Sequence, residues 1–198
     1  MILQSDATAL ILASASPRRA ELLEQIGLTF KVCPANIDET PKPNEPAKAY
    51  VIRMSEEKAR VGLNQQKAED VTVLAADTTV VLANDLLGKP NSTQHAEGML
   101  RRLSGSQHQV ISSVTVARSG LSKTAVSISD VNFRPLSDLE IRRYIETGEP
   151  MDKAGAYAIQ GFAAVFIEKI QGSYSGIMGL PLAETYQLLQ AMDVISNE

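Results

Sequence analysis

Ser14, Ser16, Arg18 and Arg19 fall within one short run, Ala13-Ser14-Ala15-Ser16-Pro17-Arg18-Arg19, set between an apolar stretch and a helix-forming one. Two hydroxyls and two guanidinium groups at the start of a helix suit an anion. Helix N-termini carry unpaired N–H groups and a partial positive charge. The planar guanidinium fork also matches phosphate oxygens. The run reads as a phosphate cradle that lacks a glycine-rich Walker loop, or as a capped helix with surface arginines. Asp77 closes the apolar run Val71-Thr72-Val73-Leu74-Ala75-Ala76. An acid at a strand end lies where α/β sheets place their ligands; there it could hold a metal or take a proton from water. The same Asp-Thr-Thr triplet is also ordinary turn chemistry, with Asp77 capping Thr78 or Thr79.

Further charged residues add to this set. Asp38-Glu39 lie in an acidic, proline-rich segment. They suit a divalent cation with oxygen ligands, or form a solvated turn. Lys58, Lys89 and Lys153, with Arg18 and Arg19, could neutralise a triphosphate if the fold brings them together; singly, each is a surface charge. Lys153 opens the small-residue stretch Lys153-Ala154-Gly155-Ala156-Tyr157-Ala158-Ile159-Gln160-Gly161. Glycine there permits close backbone approach to a ligand. The Gln160 amide offers a donor and an acceptor in one plane, which suits the edge of a base or a tight turn.

The elements that must position these groups alternate. Ala9–Leu12 reads as a buried strand. Ser16 fits the N-cap, and Pro17 the first position, of a helix that glycine closes at Gly27. Strands are expected at 29–33, 71–76, 79–83, 110–117, 124–133 and 162–170. Helices are expected at 46–63, 92–103 and 181–192, and from a capping box at Ser137-Asp138-Leu139-Glu140 to Gly148. Helical spacing in the 46–63 segment offers Tyr50, Ile52, Met54, Ala59 and Val61 as a buried face. Strands 110–117 and 124–133 read as an antiparallel pair. The fold class is therefore α/β, a mixed twisted sheet flanked by helices. Residues 1–198 read as a single domain, with no repeats or linker, and the 34–46 loop could border a cleft.

Composition narrows the function classes. The chain has 198 residues, with 44% hydrophobic, 21% charged and a formal net charge of -4. That charge argues against general attraction to nucleic acid or anionic lipid. The absence of tryptophan and an aromatic content of 5% argue against a base-stacking platform. Cys33 is the single cysteine, and His95 and His108 are the only histidines. An internal disulfide is excluded, and a thiol nucleophile finds no clear histidine partner. No apolar run is long enough to cross a bilayer, and no signal peptide is visible. A soluble, reducing, cytoplasmic setting is the expectation.

Taken in order, Ser14-Ala15-Ser16-Pro17-Arg18-Arg19, Glu57-Lys58-Ala59, Ala76-Asp77-Thr78, Gly88-Lys89-Pro90, Asp152-Lys153-Ala154-Gly155-Ala156-Tyr157 and Gly179-Leu180-Pro181 resemble the Maf family of nucleoside triphosphate pyrophosphatases. The resemblance runs from about Leu10 to Leu189. It implies a fold related to the inosine triphosphate pyrophosphatases, with the site in a cleft. It implies hydrolysis of a nucleoside triphosphate to monophosphate and pyrophosphate, with a divalent cation such as Mg or Mn. Asp77 aligns with the proton acceptor. Ser14, Arg19, Asp38, Lys58 and Lys89 align with other site positions, with Asp38 and Asp77 as the expected metal ligands. Arg18, Thr78 and Gln160 match the specificity residues of the branch acting on dTTP and UTP. Ala76 and Ala158 stand where glycine is common in the family, which touches substrate tuning and not the reaction. The implied partner is a nucleotide, with no membrane or nucleic acid, and a homodimer is left open. The competing reading is a nucleotide-binding regulator of septum formation that does not turn substrate over.

Overall fold

The computed structural model describes residues 9–67 and 70–195. Strand β1 (Ala9–Leu12) leads through residues 13–16 into helix α1 (Pro17–Gln25). Strand β2 (Lys31–Val32) follows, then α2 (Ala47–Asn64), β3 (Val71–Leu82), β4 (Asp85–Leu87) and α3 (Thr93–Leu103). The chain continues with β5 (Gln107–Arg118), β6 (Leu121–Phe133), α4 (Asp138–Glu146), β7 (Ile167–Gln171), α5 (Tyr174–Met178) and α6 (Leu182–Ala191). The strands form a seven-stranded sheet in the order β2-β1-β3-β5-β6-β7, with β4 paired to β3. β1 runs parallel to β2 and β3, whereas β3–β4 and β6–β7 are antiparallel. The sheet is mixed, as expected.

The chain divides into two compact units. The first is Met1–Asp77, Ser112–Ser127 and Gly179–Glu198; the second is Thr78–Ile111 and Ile128–Met178. Three of the boundaries fall inside long strands, so β3, β5 and β6 each contribute a segment to both units, and the fourth follows α5.

In the first unit α2 buries Val51, Met54, Ser55, Lys58, Ala59 and Gly62, a stripe at the three- and four-residue spacing of one helix face. The expected face shared only Met54 and Ala59 with it; Tyr50, Ile52 and Val61 are only half-buried. Ala59 packs with Ile11, Ala13, Val71, Val73 and Ala75 of β1, its following turn and β3. Gly62 lets the helix come this close. A Cβ there would lie 2.9 Å from Ala13 Cβ and 3.0 Å from Val73 Cγ1. A buried hydroxyl chain also ties α2 to the β5–β6 hairpin: Ser55 Oγ lies 2.8 Å from Ser113 Oγ and 2.9 Å from Thr115 Oγ1, which lies 2.9 Å from Thr124 Oγ1.

In the second unit an aromatic cluster of Phe133, Tyr144, Tyr157 and Phe166 fills the core beside Leu100, Leu103 and Ile141 of α3 and α4. The rings meet edge-on, with Phe133–Tyr157 centroids 4.9 Å apart and Tyr144–Phe166 5.1 Å apart. The capping box at α4 is complete: Ser137 accepts from the Glu140 N–H, and Glu140 accepts from the Ser137 N–H.

Several expectations change. Residues 71–82 form one continuous strand, so Asp77 lies in a strand interior rather than at an end. The 162–170 segment is a 3₁₀ turn, Phe162–Phe166, before β7 begins. Ser16 occupies the N-cap position of α1 and Pro17 follows, but no side-chain bond caps the helix.

Candidate active site

Two residues beyond β1 lies Ser14, whose hydroxyl is buried and accepts two bonds: from the Ser16 N–H at 3.2 Å and from Arg19 Nη1 at 3.0 Å. A hydroxyl that accepts twice still has its own proton to give. Arg19, on the first turn of α1, is fixed a second time because its Nε donates to Gly179 O at 2.8 Å. Burial lowers the Arg19 pKa from its ordinary value, while the Asp77 carboxylate acts to raise it. The Ser14–Arg19 run is thus organised by its own side chains, with Ser14 taking the bonding role expected of Ser16.

Asp77 belongs to the row of β3 that faces α2. Successive strand residues alternate faces, and Val73 and Ala75 pack against Ala59 of α2. Two residues on, Asp77 Oδ1 accepts from Lys58 Nζ at 2.7 Å. Lys58 also pairs with Glu39 Oε1 at 2.6 Å. One ammonium therefore joins two carboxylates that arrive from different segments. Lys58 and Asp77 are only 8% and 7% exposed. Burial raises the Asp77 pKa above the ordinary carboxylate value, opposed by the charges of Lys58 and Arg19.

The loop that carries Glu39 is held by the first turns of α2. Tyr50 donates to Glu39 O at 2.9 Å, and Arg53 donates to Thr40 O at 3.2 Å. Arg53 also forks onto Glu45, with both contacts at 2.6 Å. That pairing draws the Glu45 pKa down to about 2. Tyr50 has its pKa pushed up to about 12, first by burial and then by the charges of Asp77 and Glu39. Asp38 is exposed, and its Oδ1 accepts from the Thr40 N–H at 2.9 Å. That bond holds its pKa below the usual range. Glu39, not Asp38, is the acid of the pair that reaches Lys58. Sequence reasoning missed Arg53 and Glu45, although an arginine one turn ahead of Glu57 on a helix is a readable signal.

Thr78, Lys89 and Gln160 belong to the second unit. Thr78 is half-buried and shares its strand row with Val80. Val80 is the residue that a Cβ on Gly155 would meet, at 2.9 Å; Gly155 has φ +68. The Gly155 N–H donates to Gly88 O at 3.1 Å, tying the Lys89 turn to the 153–157 segment. Lys153 pairs with its neighbour Asp152. Gln160 is exposed on a tight turn closed by Gly161 N–H to Ala158 O at 3.0 Å. The structure therefore groups Ser14, Arg19, Glu39, Lys58 and Asp77 in the first unit, and Thr78, Lys89, Lys153 and Gln160 in the second. Arg18, half-buried, precedes Arg19 on α1.

A family model described as Maf-like protein matches residues 9–192. The chain belongs to the Maf family. Among proteins similar to this Maf chain are the dTTP/UTP pyrophosphatase of Escherichia coli O157:H7 and that of Escherichia coli strain K12. Both are 48% identical over 191 residues, covering 96% of each chain. The protein of the same name from Shigella sonnei strain Ss046 is also 48% identical over the same share. A solved structure of the Ham1 protein of Staphylococcus aureus aligns with 93% of this chain and 97% of that one, at 14% identity and a TM-score of 0.47.

Among the described residues no cluster of three or more His, Cys, Asp or Glu side chains is assembled for a metal. No helix among them is long and apolar enough to cross a membrane.

Proposed function

We propose that this Maf chain hydrolyses nucleoside triphosphates, dTTP and UTP in preference, to the monophosphate and pyrophosphate by attack of water at the α-phosphorus. The observation that carries the reading is the buried Lys58 ammonium held between Asp77 and Glu39, with Arg19 close enough to act on the charge of Asp77. Cations for the phosphates and an acid for the water thus lie in one unit. The relatives at 48% identity, curated as dTTP/UTP pyrophosphatases, support the substrate.

Asp77 is the proton acceptor. Its pKa is raised by burial, which makes a carboxylate a better base, since a catalytic pKa works best near the operating pH. Lys58, in contact with Asp77, acts against that rise and favours the ionised form. Arg19 and Lys58 take phosphate oxygens, and Ser14 donates its remaining proton to one; Lys89, on the second unit, is a further phosphate-binding candidate. Together they spread the negative charge that grows on the departing pyrophosphate.

The residues fit a divalent cation. Asp77 and Glu39 already converge on a positive charge, that of Lys58. Mg²⁺ commonly takes one or two carboxylates and completes its shell with substrate phosphates and water, so a set of two acids is sufficient. Asp77 and Glu39 would hold it, with Asp38 at the adjoining position. A bound cation would supply Lewis-acid polarisation of the phosphate and a lower pKa for water.

Arg18, Thr78 and Gln160 set the preference for thymine and uracil. Both bases present an N3–H between two carbonyls, which an amide can match in one plane. Gln160 is exposed and already fixed by its turn, so its amide is available to a ligand. A soluble enzyme of the cytoplasm is the setting this reading supports. Binding without turnover is the less favoured reading, because the relatives at 48% identity over 96% of the chain are pyrophosphatases. The test is a panel of triphosphates with Mg²⁺ or Mn²⁺, read as pyrophosphate. Release from dTTP and UTP ahead of the purine nucleotides, abolished by chelation, is expected. Stepwise orthophosphate, or tight dTTP binding without product, overturns the proposal.

A further inference from the structure

Glu149 stands outside every motif singled out above, yet its carboxylate is heavily committed. Oε1 accepts from the Tyr144 hydroxyl at 2.8 Å and from the Ala163 N–H at 3.4 Å, and Oε2 accepts from the Phe162 N–H at 2.9 Å. Phe162 and Ala163 open the 3₁₀ turn immediately after Gln160-Gly161. The Tyr144 ring is fully buried and stacks on Phe162, with centroids 6.0 Å apart and planes inclined by 22°. Burial and the Glu149 carboxylate raise the Tyr144 pKa well above the ordinary phenol range, so the hydroxyl remains a donor. Gly161 completes the arrangement. Its backbone is extended, at φ -102, a conformation open to any residue, but a Cβ there would run into the Glu149 carboxylate. A side chain at this position would displace that carboxylate from its present bonds, whereas the backbone angle does not call for glycine.

We infer that Glu149 is a positioning residue for base recognition: its carboxylate, braced by Tyr144, pins the amides of Phe162 and Ala163 and so fixes the turn that presents Gln160. The inference rests on the reading of Gln160 as a base reader. An amide discriminates one base edge from another only when its plane is held. The turn's own bonds, Gly161 N–H to Ala158 O and Ala164 N–H to Gly161 O, shape it locally, and the Glu149 carboxylate anchors it to α4 and the core through two backbone bonds and Tyr144.

The test combines Glu149→Ala, Glu149→Gln, Gly161→Ala, the Glu149→Ala/Gly161→Ala double variant and Gln160→Ala. Amide exchange at Phe162 and Ala163 is measured beside kcat and KM for dTTP and dGTP. Glu149→Ala should speed exchange at both amides and raise KM for dTTP by about tenfold or more, on the scale of a misplaced positioning group. The value for dGTP should change little. Glu149→Gln should recover part of the loss, because one amide oxygen can still accept. Gly161→Ala should reproduce Glu149→Ala by pushing the carboxylate away. It should add nothing once the carboxylate is gone, so the two changes are strongly non-additive. Additive losses, or a fall in kcat shared equally by dTTP and dGTP, overturn the inference. An altered dTTP-to-dGTP ratio in Gln160→Ala with an unaltered one in Glu149→Ala overturns it alone. An unaltered ratio in Gln160→Ala overturns the base-reading assignment, and this inference with it.

Discussion

Lys58→Met removes the ammonium that joins Asp77 to Glu39 while keeping most of the side-chain volume. Asp77 is 7% exposed, so its carboxylate would be left dry, with Arg19 the remaining cation acting on it. Two unit charges about 4 Å apart attract by about 4 kcal/mol at an effective dielectric near 20. Removing one member of a buried pair costs roughly 3–5 kcal/mol. Glu39 is half exposed and loses little, because water replaces the lysine. Arg19 keeps part of the attraction, which brings the expected loss to the low end, about 3 kcal/mol while Asp77 stays ionised. The carboxyl can escape that cost by taking a proton. Burial already raises its folded-state pKa above the unfolded value. Between those values the folded state binds more protons than the unfolded one, so stability falls as pH rises. Loss of Lys58 extends that window upward. Urea unfolding should therefore show a small deficit at mildly acid pH and the full one at mildly alkaline pH. For a chain of 198 residues the full deficit is a fall in Tm of roughly 6–12 °C. Asp77→Asn added to Lys58→Met should restore most of it, since a neutral amide needs no counter-charge. An equal deficit at both pH values, with no recovery in the double variant, would mean that Lys58 contributes its stem to packing and not its charge to Asp77.

Asp77→Asn alone should lower turnover by roughly 10²–10⁴-fold, the range for a positioned base. Its Tm should hold or rise, measured by calorimetry, because a desolvated charge is gone. Gly62→Ala should destabilise by about 1–3 kcal/mol through overpacking against Ala13 and Val73, and should lower kcat as well, because α2 carries Lys58 one turn away. Ser14→Ala should raise KM for dTTP and UTP alike and leave the preference between bases unchanged, which steady-state kinetics on both nucleotides would show. Gln160→Glu should reduce kcat/KM for dTTP and UTP more than for purine triphosphates, by about tenfold or more where a base edge is left unpaired; an unchanged profile would remove Gln160 from the base-reading role.

Much of this organisation was legible because local signals agree with the fold. The capping box at Ser137 and Glu140 formed as written, and Ser92, the expected start of its helix, caps α3 by accepting from the His95 N–H at 3.1 Å. Sequence pattern places Asp77 at a strand end because an acid and two threonines interrupt an apolar run, whereas the strand continues through it. The ammonium of Lys58 compensates the charge inside the strand, and sequence spacing cannot show a partner on another element. The buried face of α2 differs from the apolar periodicity for a related reason. A lysine and a glycine occupy buried positions there, and apolar periodicity discounts both. Glu39 emerges over Asp38 because Tyr50 and Arg53 fix the loop backbone, a tertiary effect absent from the pair itself. Glu149 carried no signal at all: a lone acid after Gly148 reads as surface until its amide partners, a dozen residues later, are in place.

The central claim is that an Asp77-assisted water attacks the α-phosphorus of dTTP. Hydrolysis in water enriched in the heavy oxygen isotope, with both products weighed by mass spectrometry, tests it most directly. The expected result is label in the monophosphate and none in pyrophosphate, with label incorporation slowed in step with turnover in Asp77→Asn. Label in pyrophosphate would place the attack at the β-phosphorus and contradict it.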